Sequence, residues 1–477
     1  MSNPKSKELI SADRRRFLTT FALGAAAAPI LSLGRSVLAG AGDSQAASLC
    51  YSNKRVLTSA DIQYLGAMRM PAAGAYLDFS YGSMTGRNVN GQVRLFLLGA
   101  NNKADPLYEI ADTGSYNVNP AQAPRATLVK TWGDIYGNAR RTWSSTGTEK
   151  VGYPRYMGSL QWVESKQLLY WTYFDSYNTT GDEDWCLGAT RLDPSGPVAF
   201  GPWRPAGSSG KKGAWKCVRI SEHPVTGELL CGGIVMAGNI SSPWGPNLWG
   251  GQWPSENTPA GFGAPDLPIQ KYLTYPSMVG AVNRDGTWAG TLKSARRPGD
   301  YFFEPINGNG ILTEIDPRKN GGVGSWTSVD ALGGAKWIDL PNAHGVLFLG
   351  KLGAGHVWYR NPGVGNDLCT HGVASPIMVT GPVCTDAYPF AMIYDPADLT
   401  AVRTGTKTDY TVDPVQTINL QSTYGIQTSW ITHVGSARFV GDSYFDPTTR
   451  KLYVCAPEAD DSIPGVFYPL VHVFQIT

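Results

Sequence analysis

A chain of 477 residues with 56 glycines, 15 tryptophans and 23 tyrosines has the composition of a turn-rich, aromatic-rich β protein. A net charge of +2 offers no basic surface for nucleic acid, and the first 41 residues alone carry +4, which leaves the rest of the chain near −2. No later run reaches the roughly 18 uncharged apolar residues that a membrane span requires.

The first element is Arg14-Arg15-Arg16-Phe17-Leu18, followed by an Ala-rich apolar stretch to Gly34, then Arg35 and Ala39-Gly40-Ala41. A charged start, an apolar middle and a small-residue exit form a signal peptide. The arginine pair, one variable residue, Phe and Leu resemble the twin-arginine export motif. That resemblance implies passage through the twin-arginine translocase as a folded protein and cleavage near Ala41. It also implies residence in the periplasm or outside the cell, with no membrane attachment afterwards. Residues 42–477 are then expected to form a single domain.

Five later segments share one design, at 76–101, 158–175, 214–236, 334–353 and 436–460. In each, a short strand meets a polar turn such as ESK, HPVTG, PNAHG or DPTTRK, and a more apolar strand leaves it. A second hairpin follows at variable distance: PLYEIAD with ATLVKTW, LGATRLDPSGPVAFGPW, MVGAVNRDGTWAGTLKS (278–294) and AMIYDPADLTAVRTG (391–405). In the fifth unit YPLVHVFQIT supplies one last strand. The pattern predicts an all-β chain of four-stranded antiparallel sheets repeated around an axis, a β-propeller of five blades. The longer gaps leave room for a sixth or seventh. In architecture the chain resembles secreted, carbohydrate-active propellers, and no catalytic motif of a particular family accompanies the likeness.

Aligning the first strands places a polar residue at one depth in every unit: Asp78, Gln161, Lys216, Lys336 and Arg438. As innermost strands they would line a funnel suited to an anionic ligand such as a uronate, sulfate or phosphate. The alternative is that they tie neighbouring blades together. In SSPWGPNLWGGQWP (241–254), Trp244, Trp249 and Trp253 offer flat faces to sugar rings, or else pack on one another to order a connection. His433 and His356, the latter near Tyr359, are candidate bases for abstracting a proton beside a neutralised carboxylate, the logic of a uronate-cleaving lyase. A glycoside hydrolase would instead use a carboxylate pair drawn from Asp61, Asp78, Asp300, Glu304, Glu458 and Asp460. His223, His344 and His472 read as structural.

No cofactor is predicted. GDEDW (181–185) and PEADDS (457–462) have the oxygen donors for Ca²⁺ without EF-hand spacing, and solvated loops fit them as well. P-loop, dinucleotide, GxSxG and HExxH signatures are missing from the sequence. Seven cysteines leave at least one thiol unpaired; Cys217 with Cys231 and Cys369 with Cys384 are candidate disulfides. The expected function is to bind or cleave a polysaccharide, uronate-containing or neutral, outside the cytoplasm. The alternative is a non-catalytic glycan-binding or protein-interaction scaffold.

Overall fold

The structure is a computed structural model, and it describes residues 53–71, 82–99, 106–141, 143, 146–149, 156–174, 185–206, 217–232, 246–274, 303–306, 311–314, 331–360, 381–429, 438–463 and 466–477. The chain divides after Gln45, and every described residue falls in the unit Ala46–Thr477. The proposed leader, 1–41, therefore lies outside the described residues.

Two strands come first, β1 (Arg55–Val56) and β2 (Ile62–Arg69). The first blade is β3 (Met84–Val89), β4 (Gln92–Leu98), β5 (Leu107–Ala111) and β6 (Thr127–Thr131), paired in that order. The second is β7 (Tyr156–Val163), β8 (Leu168–Phe174), β9 (Leu187–Asp193) and β10 (Gly196–Trp203). The third is β11 (Arg219–Glu222), β12 (Leu229–Gly232), β13 (Leu248–Gly251) and β14 (Ile269–Leu273). A separate hairpin, β15 (Phe303–Ile306) with β16 (Ile311–Glu314), precedes the fourth blade. That blade is β17 (Ala331–Asp339), β18 (Ala343–Arg360), β19 (Gly381–Tyr394) and β20 (Gln416–Asn419), with β1 added in parallel at the start of β18. The fifth is β21 (Ser443–Asp446), β22 (Lys451–Ile463) and β23 (Val466–Ile476), and its outermost strand is β2. The result is a five-bladed antiparallel β-propeller.

Residue alternation explains why the blades stack as a ring. Successive side chains on a strand point to opposite faces, so a blade buried on both faces must be apolar at every position. Along β4, Leu95 and Leu97 pack toward the fifth blade, whereas Phe96 and Leu98 pack toward the second. Along β8, Leu169, Trp171 and Tyr173 face the first blade, whereas Leu168 and Tyr170 face the third. β18 sends Val346 and Phe348 to the third blade and Leu347 and Leu349 to the fifth. Five apolar cores result, one between each pair of neighbours, and they close the circle.

Closure also runs through the backbone. β2 pairs antiparallel with β23 from Ile62 opposite Ile476 to Arg69 opposite Leu470, so an early strand completes the last blade. This fourth strand of the fifth blade was not foreseen in the sequence. Two other outer strands differ from expectation. The third blade takes β13 and β14, and the expected hairpin at 278–294 lies outside the described residues. In the fourth blade, the segment after AMIY turns into helix α1 (Pro396–Arg403) before β20. The physical cause is a cap: Asp395 accepts a hydrogen bond from Ala397 N–H at 2.8 Å, and Pro396 occupies the first turn.

The thiols also depart from expectation. Cys186, Cys217, Cys231 and Cys455 are free and buried. Strand register sets Cys231 opposite Ile220, and its thiol lies beside those of Cys217 and Cys186 in one buried cluster without a disulfide. Cys369 lies outside the described residues. Among the described residues, no helix is long and apolar enough to cross a membrane.

Candidate functional site: the hub and the rim above it

The inner strands β3, β7, β11, β17 and β21 touch one another in ring order. Glycine at their leading ends permits the approach. A side chain on Gly158 would strike the Val218 carbonyl of the next blade, and one on Gly333 would strike that of Val440. Gly82, at φ +72°, abuts Gly441 in the same way. The five inner strands therefore start at one end of the ring. Antiparallel pairing then sets the described chain ends that flank 72–81, 207–216, 233–245, 361–380 and 430–437 at that same end, here called the rim; those segments themselves lie outside the described residues.

Just inside the rim, Asp442 reaches across the axis. Its Oδ2 accepts from Leu160 N–H at 3.1 Å on β7 and from Met84 N–H at 3.3 Å on β3. Its Oδ1 lies 3.4 Å from Arg219 Nη1 on β11, and that guanidinium also donates to the Gly158 carbonyl. The second and third blades are not neighbours of the fifth, so these contacts cross the hub. Asp442 is 3 % exposed and Arg219 2 %. Burial pushes the Asp442 carboxyl up to about 6 against the opposing pull of Arg219.

Deeper along the axis, Lys336 Nζ on β17 donates to Gln161 Oε1 on β7 at 3.2 Å, again between blades that are not adjacent. Lys336 is 7 % exposed and Gln161 6 %. Burial lowers the lysine to about 8, with the charges of Asp442 and Glu222 resisting. Glu222, half-buried at the far end of β11, is itself raised by burial and held back by Lys336. The hub thus holds two buried cations and one buried carboxylate, with a second, half-buried carboxylate below.

Of the five aligned polar residues, the structure brings Gln161 and Lys336 together. Asp78 and Lys216 lie outside the described residues. Arg438 is half-buried, five residues before β21, with left-handed backbone (φ 60°) and its guanidinium 3.5 Å from the Thr428 carbonyl. The alignment slips in these blades: Arg219, three residues beyond Lys216, supplies the third blade's hub cation, and Asp442 supplies the fifth blade's polar group. Their signal was a polar residue flanked by small or apolar ones in CVRIS and VGDSYF, at a register that only strand pairing fixes.

His433 and Trp244 lie outside the described residues. His356 falls in the register shift of β18 between Ala354 and Val357, and Tyr359 pairs with Pro382; their side chains lie outside the description. Trp249 belongs to β13 and packs partly against the core between the second and third blades. Trp253 is 5 % exposed with its ring 4.3 Å from that of Tyr170, so its faces are covered by protein. Asp78, Lys216, Trp244 and His433 nevertheless fall on connections whose described flanks lie at the rim, and β18 runs toward it through His356 and Tyr359.

Among the carboxylates, Asp61 is tied to Arg55 at 2.6 Å and to Thr58 N–H at 2.8 Å, and the Arg55 hydrogen bond holds it below the usual range. It caps the turn before β2, at the end of the ring opposite the rim. Asp460, from the expected Ca²⁺ segment, sits 3.6 Å from Arg125 and accepts from Ser462 N–H at 3.1 Å. Asp300 lies outside the described residues, as does the side chain of Glu304. No cluster of three metal-ligating side chains occurs among the described residues. His472 bridges Tyr64 Oη at 2.9 Å and the Gln427 carbonyl at 2.7 Å, and His223 packs 4.1 Å from the Trp337 ring. Compared with known proteins, the chain matches no family model and no curated protein sequence.

Proposed function

We propose that the chain is exported by the twin-arginine route and binds a polysaccharide over the rim of the ring, with an acidic, uronate-containing polymer as the best-matched ligand. The observation that carries this reading is the hub charge. Arg219 and Lys336 are both buried at the axis, Arg219 paired with Asp442 and Lys336 bonded only to the neutral Gln161, and Asp78, Lys216, Trp244 and His433 fall in connections whose described flanks lie at the rim. Low-dielectric walls around the two cations strengthen their field toward anions approaching along the axis. The aromatic and basic residues of the connections supply stacking faces and charge neutralisation. Turnover, where it follows binding, uses His433 or His356 with Tyr359 as base in a lyase, or paired carboxylates in a hydrolase.

The test uses the purified mature chain against uronate-containing and neutral polymers. A lyase product carries a new double bond that absorbs in the near ultraviolet, whereas a hydrolase product shows only new reducing ends. Saturable thermal stabilisation by a polymer without product identifies a binding module. No response to any polymer, together with copurification of another exported protein, supports the scaffold reading in its place.

A further inference from the structure

Lys336 is the least well matched charge in the hub. Its ammonium has three N–H donors, and one is used, on the neutral Oε1 of Gln161. Neither Asp442 nor Glu222 lies within ion-pair distance of Nζ; the axial ion pair is Asp442 with Arg219. Asp442 already accepts from Leu160 N–H, Met84 N–H and the Arg219 guanidinium. Two donors of a residue that is 7 % exposed therefore face the axis without a protein acceptor among the described residues. A buried donor of this kind is ordinarily met by a bound solvent species or ion.

We propose that the axis beside Lys336 holds a small monovalent anion of the halide class, bound by Nζ. Charge favours an anion over water, because no carboxylate touches Lys336: Asp442 is ion-paired with Arg219, and Asp442 and Glu222 act on the lysine only from beyond ion-pair distance. Size selects a single-atom ion over a carboxylate or sulfate. The inner strands are drawn together at Gly82, Gly158, Gly333 and Gly441, and Asp442 bars the axis on the rim side. The ion would let the hub keep lysine charged while the five blades close on it. This site is independent of the rim reading: polymer binding could fail with the halide in place.

The experiment is diffraction from wild-type crystals grown in bromide at the bromine absorption edge, paired with thermal unfolding. The expected result is an anomalous peak at about 3.2 Å from Lys336 Nζ. In solution, chloride or bromide should raise the unfolding temperature over methanesulfonate at equal ionic strength. The rise should be on the order of 2 °C, saturating, and absent in Lys336→Met. An axis without a bromide peak, and melting that is the same in all three salts, would overturn the proposal and assign the space to water. Because the diffraction arm needs no variant, it decides the matter even where Lys336→Met fails to fold.

Discussion

Lys336 and Gln161 are hydrogen-bonded at 3.2 Å although they belong to the fourth and second blades, with the whole third blade between them. A bond of that kind can form only through the axis. Asp442 makes the same crossing from the fifth blade to Leu160 and Arg219. The hub is thus a cross-linked polar core inside a ring whose blade-to-blade contacts are apolar.

Breaking the upper link should be costly. Asp442→Ala strands the Arg219 guanidinium, buried and without its carboxylate, and leaves Leu160 N–H and Met84 N–H short of an acceptor. The expected loss is about 3–5 kcal/mol in urea unfolding. Asp442→Asn keeps an acceptor and should lose less. Equal, small effects from both would show that the carboxylate is incidental to closure.

Stability should depend on pH through Lys336 with a definite sign. Its folded value is about 8 against an ordinary 10.5, so between those values the unfolded chain binds more protons. Stability then rises as pH rises from about 8 to 10.5, by on the order of 3 kcal/mol at most. Lys336→Met should flatten that limb, and a limb unchanged in the variant would contradict the assignment. Halide at the axis would shrink the rise by favouring the charged lysine.

The acid side has two opposed contributions. His472 and His223 are lowered to about 4 by burial, so acidification from about 6.5 to 4 destabilises the fold as they are forced to charge. Asp442, raised to about 6, works the other way: the folded form takes up its proton first, and stability falls as pH rises from about 4 to 6. Asp442→Asn should therefore steepen the acid loss over pH 4–6. A shallower profile in that variant would mean that Asp442 is not the group responsible.

Ring closure by β2 makes a prediction of its own. Met68 is fully buried where β2 pairs with β23, at Met68 opposite Val471. Met68→Asp places a carboxylate in the core between the first and fifth blades and should cost at least about 3 kcal/mol, read by urea unfolding. Faster proteolytic cleavage in the fifth blade should accompany it.

The rim reading predicts a separation of function from stability. If polymer cleavage proceeds by elimination, His433→Ala or His356→Ala should remove product formation while leaving the unfolding temperature within about 2 °C of wild type. Retained activity in both variants would discard these bases.

Much of the fold was readable because blade strands are buried on both faces and turn residues punctuate them. LLYWTYF and VLFLGKL have no polar side to confuse, and Asn90-Gly91, both at positive φ, mark a tight hairpin. What escaped was non-local. Nothing in IQYLGAMR says that its partner lies some 400 residues away, and DPADLTAVR became a helix because an Asp-Pro cap outweighed the expected hairpin. The hub was half legible. Gln161 and Lys336 stand out as polar residues in apolar strands, yet Asp442 and Arg219 depend on a register of three to four residues that turn chemistry does not fix. Trp253 shows the converse: an aromatic in a Pro/Gly-rich segment that packs inward on Tyr170.

The central claim is that ligand binds over the rim, and hydrogen exchange with and without a uronate-containing polymer tests it most directly. The account predicts slowed exchange in 72–81, 207–216, 233–245, 361–380 and 430–437, with no change in the opposite turns at 90–91, 164–167 and 447–450. Protection confined to those opposite turns, or none at saturating polymer, would contradict it.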